Sequence, residues 1–307
     1  MFLDLKNTVI GYKAPLIHGA DASLNLGEVG VLIGNNGVGK TTLIKSILNQ
    51  NPLLNGEILL DGKVIRNLSA KQIAEQIAVV FSKSYLPSHF TVTDLISLGK
   101  YIHYPYYFEI SEQDKNEVSQ IIDSLDLTQY KHLTINKLSD GNLQKAFIGR
   151  ALAQNVPFII LDEPTAHLDE ENKIMILQLL RKLAKDFGKL ILYSSHDWRL
   201  AKEFADKIWY IKDQKLYTGI AEDVISGHEE LSLPRLFNIN SEFVPPQIIA
   251  PDLQKELLFS FLQKNFREDL GNLQFTFSEG FWSVSGVKKQ QTAQNFEEIL
   301  QILAKPR

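Results

Sequence analysis

Gly34-Asn35-Asn36-Gly37-Val38-Gly39-Lys40-Thr41 follows the apolar run Val29–Ile33 and opens a helix-like segment, Lys40–Leu48. A run of this kind can cradle phosphate. Glycines let backbone N–H groups turn inward, the helix start adds the positive end of its dipole, Lys40 reaches terminal phosphates, and Thr41 offers a hydroxyl to Mg²⁺. A glycine-rich turn that merely joins strand to helix leaves the Lys-Thr pair at the helix start unexplained. Further along, Phe158-Ile159-Ile160-Leu161 reads as a buried strand ending in Asp162-Glu163, at the carboxyl edge where an open parallel sheet faces a nucleotide. There Asp162 is expected to hold Mg²⁺ through water, and Glu163 to orient or deprotonate an attacking water. Phosphoryl transfer needs positioning and charge stabilisation more than covalent chemistry. Standing alone, the acidic pair would read as a solvated turn.

The elements that must position these residues follow from periodicity. From Phe2 to about Leu60 the pattern is strand-like, with Val29–Ile33 and Ile58–Leu60 as runs and Asp61-Gly62-Lys63 as a turn. Between Leu86 and Asn155 it becomes helical: Ser111 can cap a helix whose apolar positions Val118, Ile121, Ile122 and Leu125 fall on one face. Phe158–Leu161, the helix-like Lys173–Lys185 and Leu190–Tyr193 then restore the strand-helix-strand order of a parallel sheet. The expected fold is therefore an α/β core with a helical segment inserted into it. Pro234, Pro245, Pro246 and Pro251 place a boundary near residue 240. Beyond it a helix through Leu253–Leu262, strands at Leu273–Phe277 and Phe281–Val287, and a helix bearing Phe296, Ile299, Leu300 and Leu303 make a small α+β appendage. There Phe281 and Trp282 are expected in the core rather than facing a partner.

Composition narrows the classes. The 307 residues are 44% hydrophobic and 22% charged, with 32 basic against 36 acidic side chains, an ordinary folded balance of about two domains. A net charge of −4 supplies no global field for wrapping nucleic acid, so none is expected as a partner. With no cysteine, thiol redox chemistry and thiolate metal sites are excluded. No stretch approaches the ~18 apolar residues of a membrane-spanning helix, and the first residues do not read as an export signal, so a cytoplasmic location is expected.

Two further segments give the pattern its specificity: Leu138-Ser139-Asp140-Gly141-Asn142 before the acidic strand, and Ser194-Ser195-His196-Asp197 after the next one. Phosphate loop, Leu-Ser-x-Gly signature, acidic strand and histidine in this order resemble an ABC-type ATPase over about residues 1–230. The resemblance implies a P-loop NTPase, RecA-like core with an N-terminal antiparallel β subdomain and an α-helical subdomain at about 86–155; the appendage at 240–307 lies outside it. It implies Tyr12 as the aromatic stacked on adenine, Gly34, Asn35, Asn36, Gly37, Val38, Gly39, Lys40, Thr41 and Thr42 as the phosphate loop, and His196 as the γ-phosphate contact. Ser139, Gly141 and Asn142 would meet ATP held by a second subunit, so that a homodimer sandwiches two ATPs. Ala166-His167-Leu168-Asp169 resembles the loop linking the two sites, with His167 a plain polar loop residue.

Several residues depart from the family pattern. Ser82 stands where Gln usually contacts Mg²⁺ and the membrane partner, with Lys83 or Ser84 as substitutes by a register shift. Asp140 stands for Gly, and Asn142 for Gln or Glu. One ATPase unit without a membrane span resembles the importer arrangement, in which separate permease subunits and, indirectly, a substrate-binding protein complete the transporter at the inner face of the membrane. Phe90–Leu95 with Leu98-Gly99-Lys100-Tyr101-Ile102-His103 is similar to the iron–siderophore, haem and cobalamin uptake group. Tyr101, Tyr104, Tyr106 and Tyr107 near Pro105 would form part of the groove receiving a permease helix, or pack in the core. The competing reading is a soluble ATP-driven clamp on nucleic acid or a protein complex.

Overall fold

A computed structural model describes the chain apart from residues 82–86, 88, 105–108, 199, 229–230, 232–242, 267–268, 287–290 and 305–307. Ser82, Lys83, Ser84, Pro105, Tyr106 and Tyr107 thus lie outside the described residues. Contacts divide the chain into two units, Met1–His196 with Ile211–Leu216, and Asp197–Tyr210 with Tyr217–Arg307.

In the first unit, β1 (Leu3–Gly11) pairs antiparallel with β2 (Pro15–Leu24). β3 (Val29–Ile33), buried at every position, runs into α1 (Lys40–Ile47). β4 (Asn55–Leu60) and β5 (Lys63–Val64) complete an antiparallel sheet in the order β2-β1-β4-β5. After α2 (Ala70–Ala74) and β6 (Ile77–Val80) come α3 (Val92–Ser97), α4 (Glu112–Ser124) and α5 (Asp140–Ala153). Then follow β7 (Phe158–Leu161), α6 (Glu170–Phe187) and β8 (Leu190–Ser195). β3, β8, β7 and β6 are parallel neighbours in that order. Every residue of β3, β7 and β8 is buried, as strands covered on both faces must be. This is the P-loop NTPase core with its antiparallel β sheet and helical insertion.

Ser111 caps α4 through the Asp114 amide, as its position predicted. The helical insertion has its own core, in which Val92, Leu95, Ile96, Val118, Ile122, Leu125 and Ala146 meet. Gly99 explains itself there, because a β-carbon at this position would stand 2.1 Å from the Arg150 carbonyl oxygen of α5. Lys100 is buried at 4% exposure and pairs with Glu117 and, at 3.0 Å, with Asp114. Tyr104 donates its hydroxyl to the same Asp114. Hydrogen bonds from Tyr104 and Lys100 hold the Asp114 carboxyl at about 2. Tyr101, by contrast, is 47% exposed.

The second unit contains α7 (Ala201–Phe204), and α8 (Ala221–Ser226) follows the strands β9 (Lys207–Lys212) and β10 (Lys215–Ile220), whose joining residues Ile211–Leu216 group with the first unit. It continues with β11 (Gln247–Ile249), α9 (Asp252–Asn265), β12 (Gln274–Ser278), β13 (Phe281–Ser285), β14 (Gln291–Ala293) and α10 (Phe296–Ala304). The sheet order is β11-β12-β13-β14, with β11 parallel to β12. Phe275, Trp282 and Val284 are buried on one face, and Trp282 packs on Phe275, Phe277 and Phe296. Packing groups residues 197–210 and 217–231 with the tail rather than dividing the chain near residue 240. The reason is that α7 and α8 pack against α9 through buried charged groups. Glu203 accepts from Ser260 and Gln263 at 3.1 Å each, and Lys264 pairs with Glu222 and donates to the Ala205 carbonyl at 2.9 Å.

Candidate functional site

The loop between β3 and α1 is built by its glycines. Gly39 caps the helix at φ 117°, a left-handed conformation that side chains resist. A β-carbon on Gly34 would stand 2.8 Å from the Ile211 carbonyl oxygen and 2.8 Å from Val38. Gly39 also lies against Leu16 and Ile17 of β2, so the β1–β2 hairpin is seated on the loop. Its turn carries Tyr12, whose ring is 60% exposed and available to stack. Lys40 is 6% exposed, and its ammonium donates to the carbonyl oxygens of Gly34 at 2.8 Å and Asn35 at 3.3 Å. Burial pulls its pKa below the ordinary lysine value, against the opposing pull of Glu163 and Asp162. Thr42 is buried beside it.

The two acids arrive at the end of β7. Asp162 continues the strand pairing by donating its amide to the Val80 carbonyl at 2.8 Å. Its side chain is 7% exposed and both carboxylate oxygens accept from hydroxyls, Oδ2 from Thr41 at 3.1 Å and Oδ1 from Ser194 at 2.6 Å. Glu163 then turns sharply, with φ at 52°. The strained turn is held because its amide donates to the same Ser194 hydroxyl at 2.8 Å. The Glu163 carboxylate sits 4.0 Å from the Lys40 ammonium and 3.8 Å from Nδ1 of His196, which follows β8. Lys40, Thr41, Asp162, Glu163 and His196, spread over residues 40–196, are thus gathered at one end of the parallel sheet.

The donor set fits a hard cation. Thr41 and Asp162 place a hydroxyl and a carboxylate side by side, and oxygen ligands of this kind suit Mg²⁺, which keeps several waters and phosphate oxygens in its shell. Among the described residues no group of three or more His, Cys, Asp or Glu side chains could hold a metal, so no all-protein cage competes with this pair.

Ser139 and Gly141 stand at the start of α5. Ser139 caps the helix by accepting the Asn142 amide at 3.4 Å, and Gly141 is buried. The loop 166–169 is tied back to the acids, the Ala166 amide donating to the Glu163 carbonyl at 3.1 Å, and His167 takes a left-handed backbone at φ 66°. Two residues escaped the sequence reading. Ser194 was legible as a hydroxyl residue at the end of an apolar strand, yet its bridging of Asp162 and Glu163 depends on the β7–β8 register. Asn172 holds Asp169 and abuts Gly141, with no sequence signal beyond its place in the first turn of α6.

Comparison with known proteins places this arrangement. A family model described as ABC transporter matches residues 17–166. The chain is 33% identical to the petrobactin import ATP-binding protein FpuD of Bacillus anthracis, over 73% of this chain and 82% of that one. It is 32% identical to the achromobactin transport ATP-binding protein CbrD of Dickeya dadantii, over 78% and 89%. Among solved structures, it superposes with TM-score 0.62 and 26% identity on an ATP-binding cassette in a dimeric post-hydrolysis state bound to ADP and Pi, covering 71% of this chain and 98% of that one.

Proposed function

The chain belongs to the ABC transporter ATP-binding proteins, and from that membership we propose that it binds and hydrolyses ATP to drive an importer for an iron–siderophore, haem or cobalamin-type substrate. The observation that carries the reading is the gathering of Lys40, Thr41, Asp162, Glu163 and His196 at one sheet end. The import names of the relatives favour it over a soluble clamp on nucleic acid or a protein complex. No described helix is long and apolar enough to cross a membrane; in this reading the path is supplied by a permease like those of importers. In this reading the ATPase motifs, all within residues 1–230, work at the inner face of the membrane.

In this reading the amides of Gly34–Thr42 wrap the phosphates, and Tyr12 stacks on the adenine. The Lys40 ammonium exchanges the carbonyl oxygens of Gly34 and Asn35 for phosphate oxygens. Thr41 and Asp162 would hold Mg²⁺, which would neutralise charge on the phosphate oxygens. Glu163 orients the attacking water and takes its proton, its position fixed by the Ser194 bond to its amide. His196 lies beside Glu163, within reach of the γ-phosphate. Ser139, Gly141 and Asn142 of one copy meet the ATP of a second copy, where the free amides and dipole of a helix start favour an anion.

Glu163→Gln preserves shape and removes the base. Phosphate release by the purified protein is expected to fall by about 10²–10⁴-fold with nucleotide binding retained. Equal rates for the two proteins would refute the assignment. Uptake of iron chelates, haem and cobalamin by the native complex with its permease then identifies the cargo.

A further inference from the structure

Resting on the reading that the Ser139–Gly141 tip meets ATP on a second copy, we propose that Asn172 is a positioning residue for that reaction, clamping the tip to the loop 166–169 of its own chain. Asp169 caps α6 and takes two hydrogen bonds from Asn172, its backbone amide to Oδ1 and its side-chain Nδ2 to Oδ2, both at 2.8 Å. These bonds fix the Asn172 side chain and leave its Oδ1 turned toward α5. That oxygen lies 2.3 Å, and Cγ 2.8 Å, from where a β-carbon on Gly141 would stand. Gly141 sits in a helix without a positive φ, where alanine is the better helix former. The glycine is therefore required by what faces it, and what faces it is Asn172.

The clamp closes a chain of contacts. Glu163 is tied to Ala166 by a backbone hydrogen bond, the loop ends in Asp169, Asp169 holds Asn172, and Asn172 fills the space beside Gly141. The residue that serves the chain's own nucleotide is thus joined through packed groups to the tip that serves its neighbour's. A movement of the loop carries the tip with it.

A double-mutant cycle in the full-length chain tests this, read as turnover and as nucleotide affinity of the undimerised protein. Gly141→Ala is expected to lower kcat about 100-fold, because its methyl group drives the tip out of place. Asn172→Ala keeps only a β-carbon, 3.5 Å from the added methyl, which is ordinary contact. By itself it is expected to lower kcat about tenfold at unchanged nucleotide affinity, a split that a merely structural role does not produce. The double variant is expected to turn over about tenfold faster than Gly141→Ala, since the obstacle has been removed. A double variant no faster than Gly141→Ala, or an Asn172→Ala protein with wild-type kcat, overturns the proposal. If Gly141→Ala loses nucleotide affinity through misfolding, the kcat of Asn172→Ala decides. A Glu163→Gln chain that stays monomeric at saturating ATP brings down the proposed function and the clamp together. Dimerisation of that chain without rescue in the double variant brings down the clamp and leaves the proposed function standing.

Discussion

Both units bury carboxylates, and they do so in opposite ways. In the first, Asp162 accepts from two neutral hydroxyls, Thr41 and Ser194, and feels the Lys40 ammonium only electrostatically among the described residues. In the second, Glu203, Glu222 and Glu256 face Lys202 and Lys264 inside the packing of α7, α8 and α9. Glu222 and the Lys264 side chain are each 1% exposed. In the proposed reading the first arrangement keeps its charge for an incoming cation; the second sets its carboxylates against buried lysines. A buried acid held by neutral hydroxyls marks chemistry on that reading, and one facing buried lysines marks architecture.

The contrast is broken most severely at Asp162. Asp162→Asn keeps the shape and removes the charge, so ATP turnover is expected to fall about 10²–10³-fold, in line with loss of a preorganised electrostatic group. Its melting temperature should stay level or rise, because a buried charge that is costly to desolvate has been removed. A large fall in melting temperature at intact turnover would erase the distinction between the two regions.

Lys264→Ala should do the reverse. It strands Glu222 in the interior, at an expected cost of about 3–5 kcal/mol in denaturant unfolding of the second unit. Basal turnover of the folded protein is expected to change little.

Smaller in effect is the pH dependence of the same pair. Burial raises the Glu222 carboxyl from 4.5 to about 7, against the opposing pull of Lys264. A raised carboxyl pKa means the folded state holds its proton more tightly than the unfolded one. The stability this contributes is complete below the ordinary glutamate value and is lost as pH rises through about 7, at most about 3 kcal/mol. Thermal melting of the second unit should therefore sharpen the contrast by climbing as pH falls from 8 to 6, with Glu222→Gln flattening the slope. A wild-type profile that rises with pH through that window would contradict it.

The nucleotide end of the fold was readable because its signals are contiguous. Strand, glycine turn and Lys40-Thr41 adjoin, and the acids end an unbroken apolar run. The N-terminal strands, the helical insertion and the Ser111 cap followed from periodicity for the same reason, whereas the antiparallel pairing of those strands was implied only by the family resemblance. The Lys264–Glu222 pair has no such signature, because 41 intervening positions separate two residues that each read as surface charge. Nor does β11, whose three residues between prolines are too few to show an alternation, though they extend the appendage sheet in parallel with β12. Ser194 and Asn172 share that difficulty: their roles arise from which elements become neighbours, and neither residue type announces it.

Ser194 has spent its proton on Asp162 and a lone pair on the Glu163 amide. It behaves as a rivet through two adjacent strands, aligning both acids with a single atom. Evolution could swap it for threonine and keep the alignment. Drift to alanine would leave every recognisable motif intact while letting the two acids wander independently, giving a protein that looks like an ATPase on paper and turns over like a poor one.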